Sequence, residues 1–335
     1  MGAETSRVGA VDAESHYLWD NWLCHFERDG LLHRFSLAAP RSLTSSERHF
    51  HAAIHHWTTS DGKEWRYRGI AVERGLPESF DGQAAWSGCA VDLGHCLALF
   101  YTGLRVGEDR RQTIAAAFAE DGIHFTKQTC PILEPGGVEL GYYLGADDGV
   151  DMAWRDPFVF QPPDSDEWHM VFSAKRERPV CRGGFAHAVA LDRSLRRWEL
   201  RPPIDLPHCY LQMECPTILY QDGYVFCIAS TKDRPVDHPA AANTAIRAWR
   251  APALEGPWEP AGTDGRDLIL DHSHHLYAAT FVRLPGEDHQ VFATGFFSES
   301  HARAYTWAPI MPVVWHGSSP RVDTQEELTR RVGLR

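Results

Sequence analysis

Asp20 lies in Trp19-Asp20-Asn21-Trp22, Asp156 in Arg155-Asp156-Pro157 and Glu214 in Glu214-Cys215-Pro216. Three carboxylates from three distant segments suit the cleavage of a glycosidic bond, which needs a nucleophile, an acid/base and a group that orients the sugar. Each acid by itself would pass for an ordinary surface residue. Only their convergence makes a site, so the fold has to bring positions 20, 156 and 214 together.

The elements available for this are strands. Short apolar runs recur at Cys96–Tyr101, Trp168–Phe172, Tyr224–Ile228 and Gln290–Thr294, and clusters of Gly, Pro and Asp bound them. Helical periodicity is scarce; residues 322–334 are the one stretch that suits a short helix. A turn with an aromatic shortly after it appears four times, at Ser60–Trp65, Glu120–Phe125, Asp192–Trp198 and Leu254–Trp258. The aromatics are about 60 to 70 residues apart, the length of a four-stranded propeller blade with generous loops. Dividing the chain by that period predicts an all-β fold, a single five-bladed β-propeller over 17–320, with an N-terminal extension at 1–16 and a tail at 321–335. In a propeller the innermost strand of each blade lines a central channel, so acids from different blades can meet at its mouth. Asp156 and Glu214 each precede an apolar run, and Pro157 and Pro216 suit strand starts, where no ladder N–H is needed.

Composition narrows the classes. At 43% hydrophobic and 23% charged residues this is an ordinary globular chain, and a net charge of −12 disfavours nucleic acid or an anionic membrane as the main partner. None of the eight cysteines forms C-x-x-C, so no metal site is expected, and no cofactor motif is present. With no apolar run suited to a signal peptide or a membrane span, the expected location is cytoplasmic, with reduced thiols. The His49–His56 and His272–His275 clusters are accidents of a chain with nineteen histidines, although one of the second group could touch substrate. The basic run Lys175-Arg176-Glu177-Arg178 is a solvated loop on this reading, or else a grip for a phosphorylated sugar.

The three acid words, in this order, resemble glycoside hydrolase families 32 and 68, the invertases, levanases and levansucrases. The Trp19-Asp20-x-Trp22 word is similar to the nucleophile region of levansucrases, Arg155-Asp156-Pro157 to the R-D-P word of both families, and Glu214-Cys215-Pro216 to the E-C-P word of family 32. Trp86-Ser87-Gly88-Cys89-Ala90 and Leu99-Phe100-Tyr101-Thr102-Gly103 resemble two further segments, and the surroundings of Tyr277 a third. The likeness runs from about residue 17 to 300.

The resemblance implies a five-bladed propeller acting on β-fructofuranosides with retention of configuration. Asp20 would be the nucleophile, Glu214 the acid/base and Asp156 the transition-state stabiliser. Trp19, Trp22, Trp86, Ser87, Arg155, Gln212, Lys232 and Tyr277 would contact substrate. Retention implies carboxyl groups at 20 and 214 about 5–5.5 Å apart and a Glu214 kept protonated near neutral pH. The chain departs from the family pattern in three ways. It ends before the β-sandwich usual in family 32. Gln212 stands where levansucrases have an acid, and Lys232 stands near where they have an arginine. The partners implied are a fructofuranoside and a water, sugar or small-molecule acceptor. The alternatives are a family 43-like inverting arabinanase or furanosidase, and a propeller that binds sugar without turning it over.

Overall fold

The computed structural model describes residues 11–107, 111–135, 143, 153–163, 165–176, 182–207, 210–235, 244–262, 265–286, 290–298 and 301–324. They form five antiparallel sheets arranged as the blades of a propeller. Blade 1 holds β1 (His16–Phe26), β2 (Leu31–Pro40), β3 (Ala53–Thr59) and β4 (Arg66–Val72). Blade 2 holds β5 (Ala84–Asp92), β6 (Leu97–Leu104), β7 (Gln112–Ala119) and β8 (Thr126–Lys127). Blade 3 holds β9 (Trp154–Phe160), β10 (His169–Arg176), β11 (Arg182–Ala190) and β12 (Trp198–Ile204). Blade 4 holds β13 (Tyr210–Gln221), β14 (Tyr224–Pro235), β15 (Thr244–Ala251) and β16 (Glu259–Pro260), with β17 (Leu268–Asp271) also on β15. Blade 5 holds β18 (Leu276–Arg283), β19 (Val291–Phe297), β20 (Met311–His316) and β21 (Ser319–Val322). The first strands β1, β5, β9, β13 and β18 touch in that order and close the ring.

Burial explains the sequence pattern. Second strands lie between neighbouring blades with both faces covered, so β6 (LALFYTGL) is buried at every position and reads as an unbroken apolar run. The fourth strands face outward on one side, and β4 (RYRGIAV) is accordingly mostly exposed or half-buried. Alanines at 115, 116, 117 and 119 let neighbouring sheets approach β7 closely.

The four recurring turns do the same job in four blades, joining β3 to β4, β7 to β8, β11 to β12 and β15 to β16. In the first three an aspartate holds the turn, as when Asp121 Oδ1 accepts the backbone N–H of Ile123 and His124 at 2.9 and 2.8 Å. Their aromatics pack onto the preceding blade: Phe125 lies edge-on to Phe35 at 5.6 Å and Trp198 edge-on to Phe100 at 6.0 Å. Blade 5 turns instead through the short link between His316 and Ser319, which pair with each other and leave no room for a fifth copy. Strand β21 runs to Val322, two residues past the end expected for the propeller. The helix expected over 322–334 falls almost wholly on 325–335, outside the described residues.

The seam between blades 1 and 5 is stitched by side chains. Buried Asn21 donates from Nδ2 to Gly295 O at 2.6 Å, and its own carbonyl accepts from Thr280 Oγ1 at 3.0 Å. The Arg34 guanidinium lies between the rings of Trp65 and Trp307 at 4.3 and 4.6 Å.

Candidate active site

Every inner strand carries a register shift at the same depth. The shifts fall between Trp19 and Asn21, Trp86 and Gly88, Arg155 and Phe158, Glu214 and Thr217, and Tyr277 and Thr280. A bulge leaves a residue unpaired and re-aims its side chain. Four of the five place a non-glycine residue in the left-handed region: Asp20 (φ 31°), Asp156 (φ 57°), Cys215 (φ 52°) and Ala278 (φ 46°). Each such residue costs roughly 1–3 kcal/mol, a strain typical of functional sites. The two prolines therefore sit inside strands, not at their starts as the sequence suggested. Pro157 and Pro216 occupy the unpaired bulge positions, where the ladder needs no N–H.

Opposite the bulges, each second strand presents a fully buried hydroxyl: Ser36, Thr102, Ser173, Ser230 and Thr294. Thr102 Oγ1 donates to Ser87 O at 3.0 Å and accepts the Asp156 N–H at 2.9 Å, tying blade 2 to blade 3. Ser230 Oγ accepts the Ala279 N–H at 3.3 Å, tying blade 4 to blade 5. Ser36 Oγ donates to Trp19 O at 2.9 Å.

The three acids converge on this ring. Asp20 accepts the Ser87 hydroxyl on Oδ2. Burial and the nearby charge of Asp156 push its carboxyl up to about 7, with Ser87 and the Arg48 guanidinium opposing. Asp156 is 5% exposed, and its Oδ2 accepts from Ser173 Oγ and from the Cys215 N–H, both at 3.2 Å. Burial raises it to about 6 against the pull of Arg155. Glu214 is gripped on both oxygens, by Arg155 Nη2 at 2.8 Å on Oε1 and by the Tyr277 hydroxyl on Oε2. Burial alone would raise it, but Arg155 and Tyr277 together hold it below the ordinary carboxylate value. The expectation of a raised Glu214 is thus reversed in the unliganded site, because a cation and a hydroxyl donor face it more closely than the other acids do. Of the three acids, Asp20 is therefore the one that holds a proton most tightly in the resting site.

The remaining sequence candidates divide. Arg155 also donates to Gln212 Oε1 at 2.9 Å, so Gln212 orients the arginine. Lys232 is exposed on β14 directly opposite Gln212, and its charge helps lower Glu214. Trp19 and Trp86 stand edge-on to the His49 ring at 6.0 and 6.3 Å, and Trp86 Nε1 donates to His49 O at 2.6 Å. Trp22 lies on the other side of Asp20, buried and stacked on Phe35 at 6.1 Å, with a core position in blade 1. Lys175 is buried and donates to Leu211 O, which makes it a bond between blades 3 and 4 and removes it as a phosphate grip. Arg48 and Ser173 escaped the sequence reading, while His49 and Thr102 were noted there only within a histidine cluster and a family-like segment, without a role. The cavity that Asp20 and Asp156 line is walled also by apolar Leu23, Ala90, Phe158, Phe281 and Val282. Among the described residues no group of three or more His, Cys, Asp or Glu side chains is placed to hold a metal ion.

A five-bladed propeller with three acids at one end of its channel defines a glycoside hydrolase class of architecture. Residues 29–318 match the glycosyl hydrolases family 32 N-terminal domain, and the chain belongs to that family. It is 33% identical to a probable sucrose-6-phosphate hydrolase of Psychromonas ingrahamii over 69% of this chain and 39% of that protein. It is 22% identical to an extracellular sucrase of Zymomonas mobilis over 88% and 89% of the two chains. The chain thus spans about two fifths of the first relative and most of the second. Among solved structures it superposes on an inulosucrase of Halalkalicoccus jeotgali bound to kestose with a TM-score of 0.77, at 22% identity over 95% of this chain and 92% of that one. A Bacillus subtilis levansucrase gives 0.74 at 14% identity over 94% and 88%.

Proposed function

We propose that this chain is a retaining enzyme on β-fructofuranosides, a hydrolase or a fructosyltransferase. The observation that carries the reading is the joint grip on the acids: Ser87 on Asp20, Arg155 and Tyr277 on Glu214, and Ser173 with the Cys215 N–H on Asp156. Membership of family 32 and the names of the relatives support the substrate class.

The chemistry starts with a proton in the wrong place. Substrate binding has to move it from Asp20 to Glu214, which leaves Asp20 as the attacking carboxylate. An Asp20 oxygen then bonds to the anomeric carbon as the glycosidic C–O bond breaks, and Glu214 gives its proton to the departing oxygen. In the second half Glu214 takes a proton from water or a sugar hydroxyl, whose oxygen displaces Asp20 from the same carbon. Asp156, anchored by Ser173 and the Cys215 N–H, accepts bonds from the sugar hydroxyls. Lys232, exposed beside Gln212, supports a leaving group that carries a phosphate. Free thiols at Cys24, Cys89, Cys96, Cys130, Cys215 and Cys227 support a reducing, cytoplasmic location.

The test is incubation of purified protein with sucrose, sucrose 6-phosphate, inulin, levan and aryl arabinofuranosides, with the first-formed anomer read by NMR. Release of β-fructofuranose or its transfer products supports the reading. An inverted product, or turnover of arabinofuranosides alone, replaces it with the family 43-like alternative. Failure on every donor, with sugar still bound, replaces it with a binding propeller.

A further inference from the structure

The turn between β2 and β3 reaches over the site from outside the acid words. It is stiffened by Thr44, whose N–H and hydroxyl donate to Glu47 Oε2 at 2.8 and 2.6 Å. Blade 2 pins it through Trp86 Nε1 on His49 O at 2.6 Å and Gln83 Nε2 on Phe50 O at 2.9 Å. Arg48 is the one buried residue of the short helical segment Glu47–His51 in this turn, at 8% exposed. Its guanidinium lies over the rings of Tyr305 at 4.1 Å and Trp19 at 5.3 Å, and one Nη1–H goes to Ser45 O. Its Nε is buried without a hydrogen-bond partner, and no carboxylate lies within 4.0 Å of it among the described residues.

A buried cation with no carboxylate in contact is costly unless negative charge nearby balances it. The residue after Trp19 is Asp20, and Asp20 is the acid on which the Arg48 charge acts. The other groups facing Asp20 do not help it to ionise, Ser87 apart: Asp156 from β9 and Glu214 from β13 are anionic, while Cys215 from β13 and Tyr277 from β18 are neutral groups whose own ionisation Asp20 suppresses. Arg155 is engaged with Glu214, Asp156 and Gln212.

Building on the proposed function, we propose that Arg48 is a positioning residue for the nucleophile: clamped between Tyr305 and Trp19, it supplies cationic charge that favours the ionised form of Asp20 and fixes the indole wall beside it. The split between the acids follows from this. Arg155 serves Glu214 and Asp156 from within the R-D-P word, and Arg48 serves Asp20 from a turn in another part of the blade.

The experiment follows the Asp20 carboxyl by carbon NMR in aspartate-labelled protein, its resonance assigned by its loss in Asp20→Asn. The wild-type midpoint is expected near 7. Arg48→Met and Arg48→Gln should each move it upward, and Arg48→Lys should restore it, with the alkaline limb of kcat/KM, where the enzyme loses the proton that Asp20 holds at rest, moving in parallel. Two neutral variants are used so that poor folding of one leaves the other. A midpoint that stays in place while thermal stability falls would show that Arg48 only packs the wall, and would overturn the proposal. If the midpoint moves as expected but the wild type cleaves no fructofuranoside, the Arg48–Asp20 pairing stands and the functional reading falls.

Discussion

Replacing Asp20, the proposed nucleophile, should make the protein more stable, and only at high enough pH. Asp20 is held at about 7 in the fold against an ordinary value of 3.8. A carboxyl whose folded pKa is raised binds a proton more tightly folded than unfolded, so wild-type stability falls as pH climbs from about 4 through about 7 and is then flat. Each unit of difference is worth about 1.4 kcal/mol, which gives roughly 4 kcal/mol in full and roughly 2–4 kcal/mol once the three acids are allowed to share the burden. Asparagine mimics the neutral acid and can still accept the Ser87 hydroxyl. Asp20→Asn should therefore match the wild type near pH 4, exceed it modestly at pH 5, and exceed it by several degrees of Tm at pH 8. Thermal unfolding followed by circular dichroism at the three pH values reads this directly. Wild type and variant running parallel across the range, or the variant melting first at pH 8, would refute the assignment of the resting proton to Asp20.

Glu214→Gln should lower kcat/KM on sucrose by about 10²–10⁴-fold and do much less to donors with good leaving groups, because only the former need the proton; comparison of sucrose with an aryl fructofuranoside checks it. Thr102→Val removes the hydroxyl that joins Ser87 O to the Asp156 N–H, both partners being buried, and should cost about 1–3 kcal/mol with a matching fall in kcat, whereas Thr102→Ser should recover both. Gly88→Ala would put a Cβ 1.8 Å from Phe100 O and 2.7 Å from its carbonyl carbon, so the backbone itself must move. That variant should be lost from the soluble fraction or melt far below wild type, and a normal melting curve would mean that the β5 bulge relaxes more freely than the packing allows.

The sequence reveals the propeller because the blade-closing turns are local. An acid that caps its own turn and an aromatic a few residues on need nothing from the rest of the chain, so Ser60–Trp65 and its three relatives announce the repeat by themselves. The acids are legible for a different reason: Pro157 follows Asp156 directly and Pro216 follows Glu214 by two residues, and each proline leaves a readable word. The ring of buried hydroxyls was not legible. Ser36, Thr102, Ser173, Ser230 and Thr294 are small residues inside apolar runs, and nothing local separates a clasp from a solvated Ser or Thr until the strand register sets each one opposite a bulge. The charge balance was not legible either. Glu214 looked like the acid that should hold the proton, since burial and neighbouring acids were all the sequence could supply. Arg155 donates to Glu214 across 59 positions and Tyr277 across 63, and together they reverse that inference. Arg48, in a turn that no motif marks, then reaches the acid those contacts leave with the proton. In this fold the words announce which acids converge, whereas the contacts between blades decide which of them gives up its proton most readily.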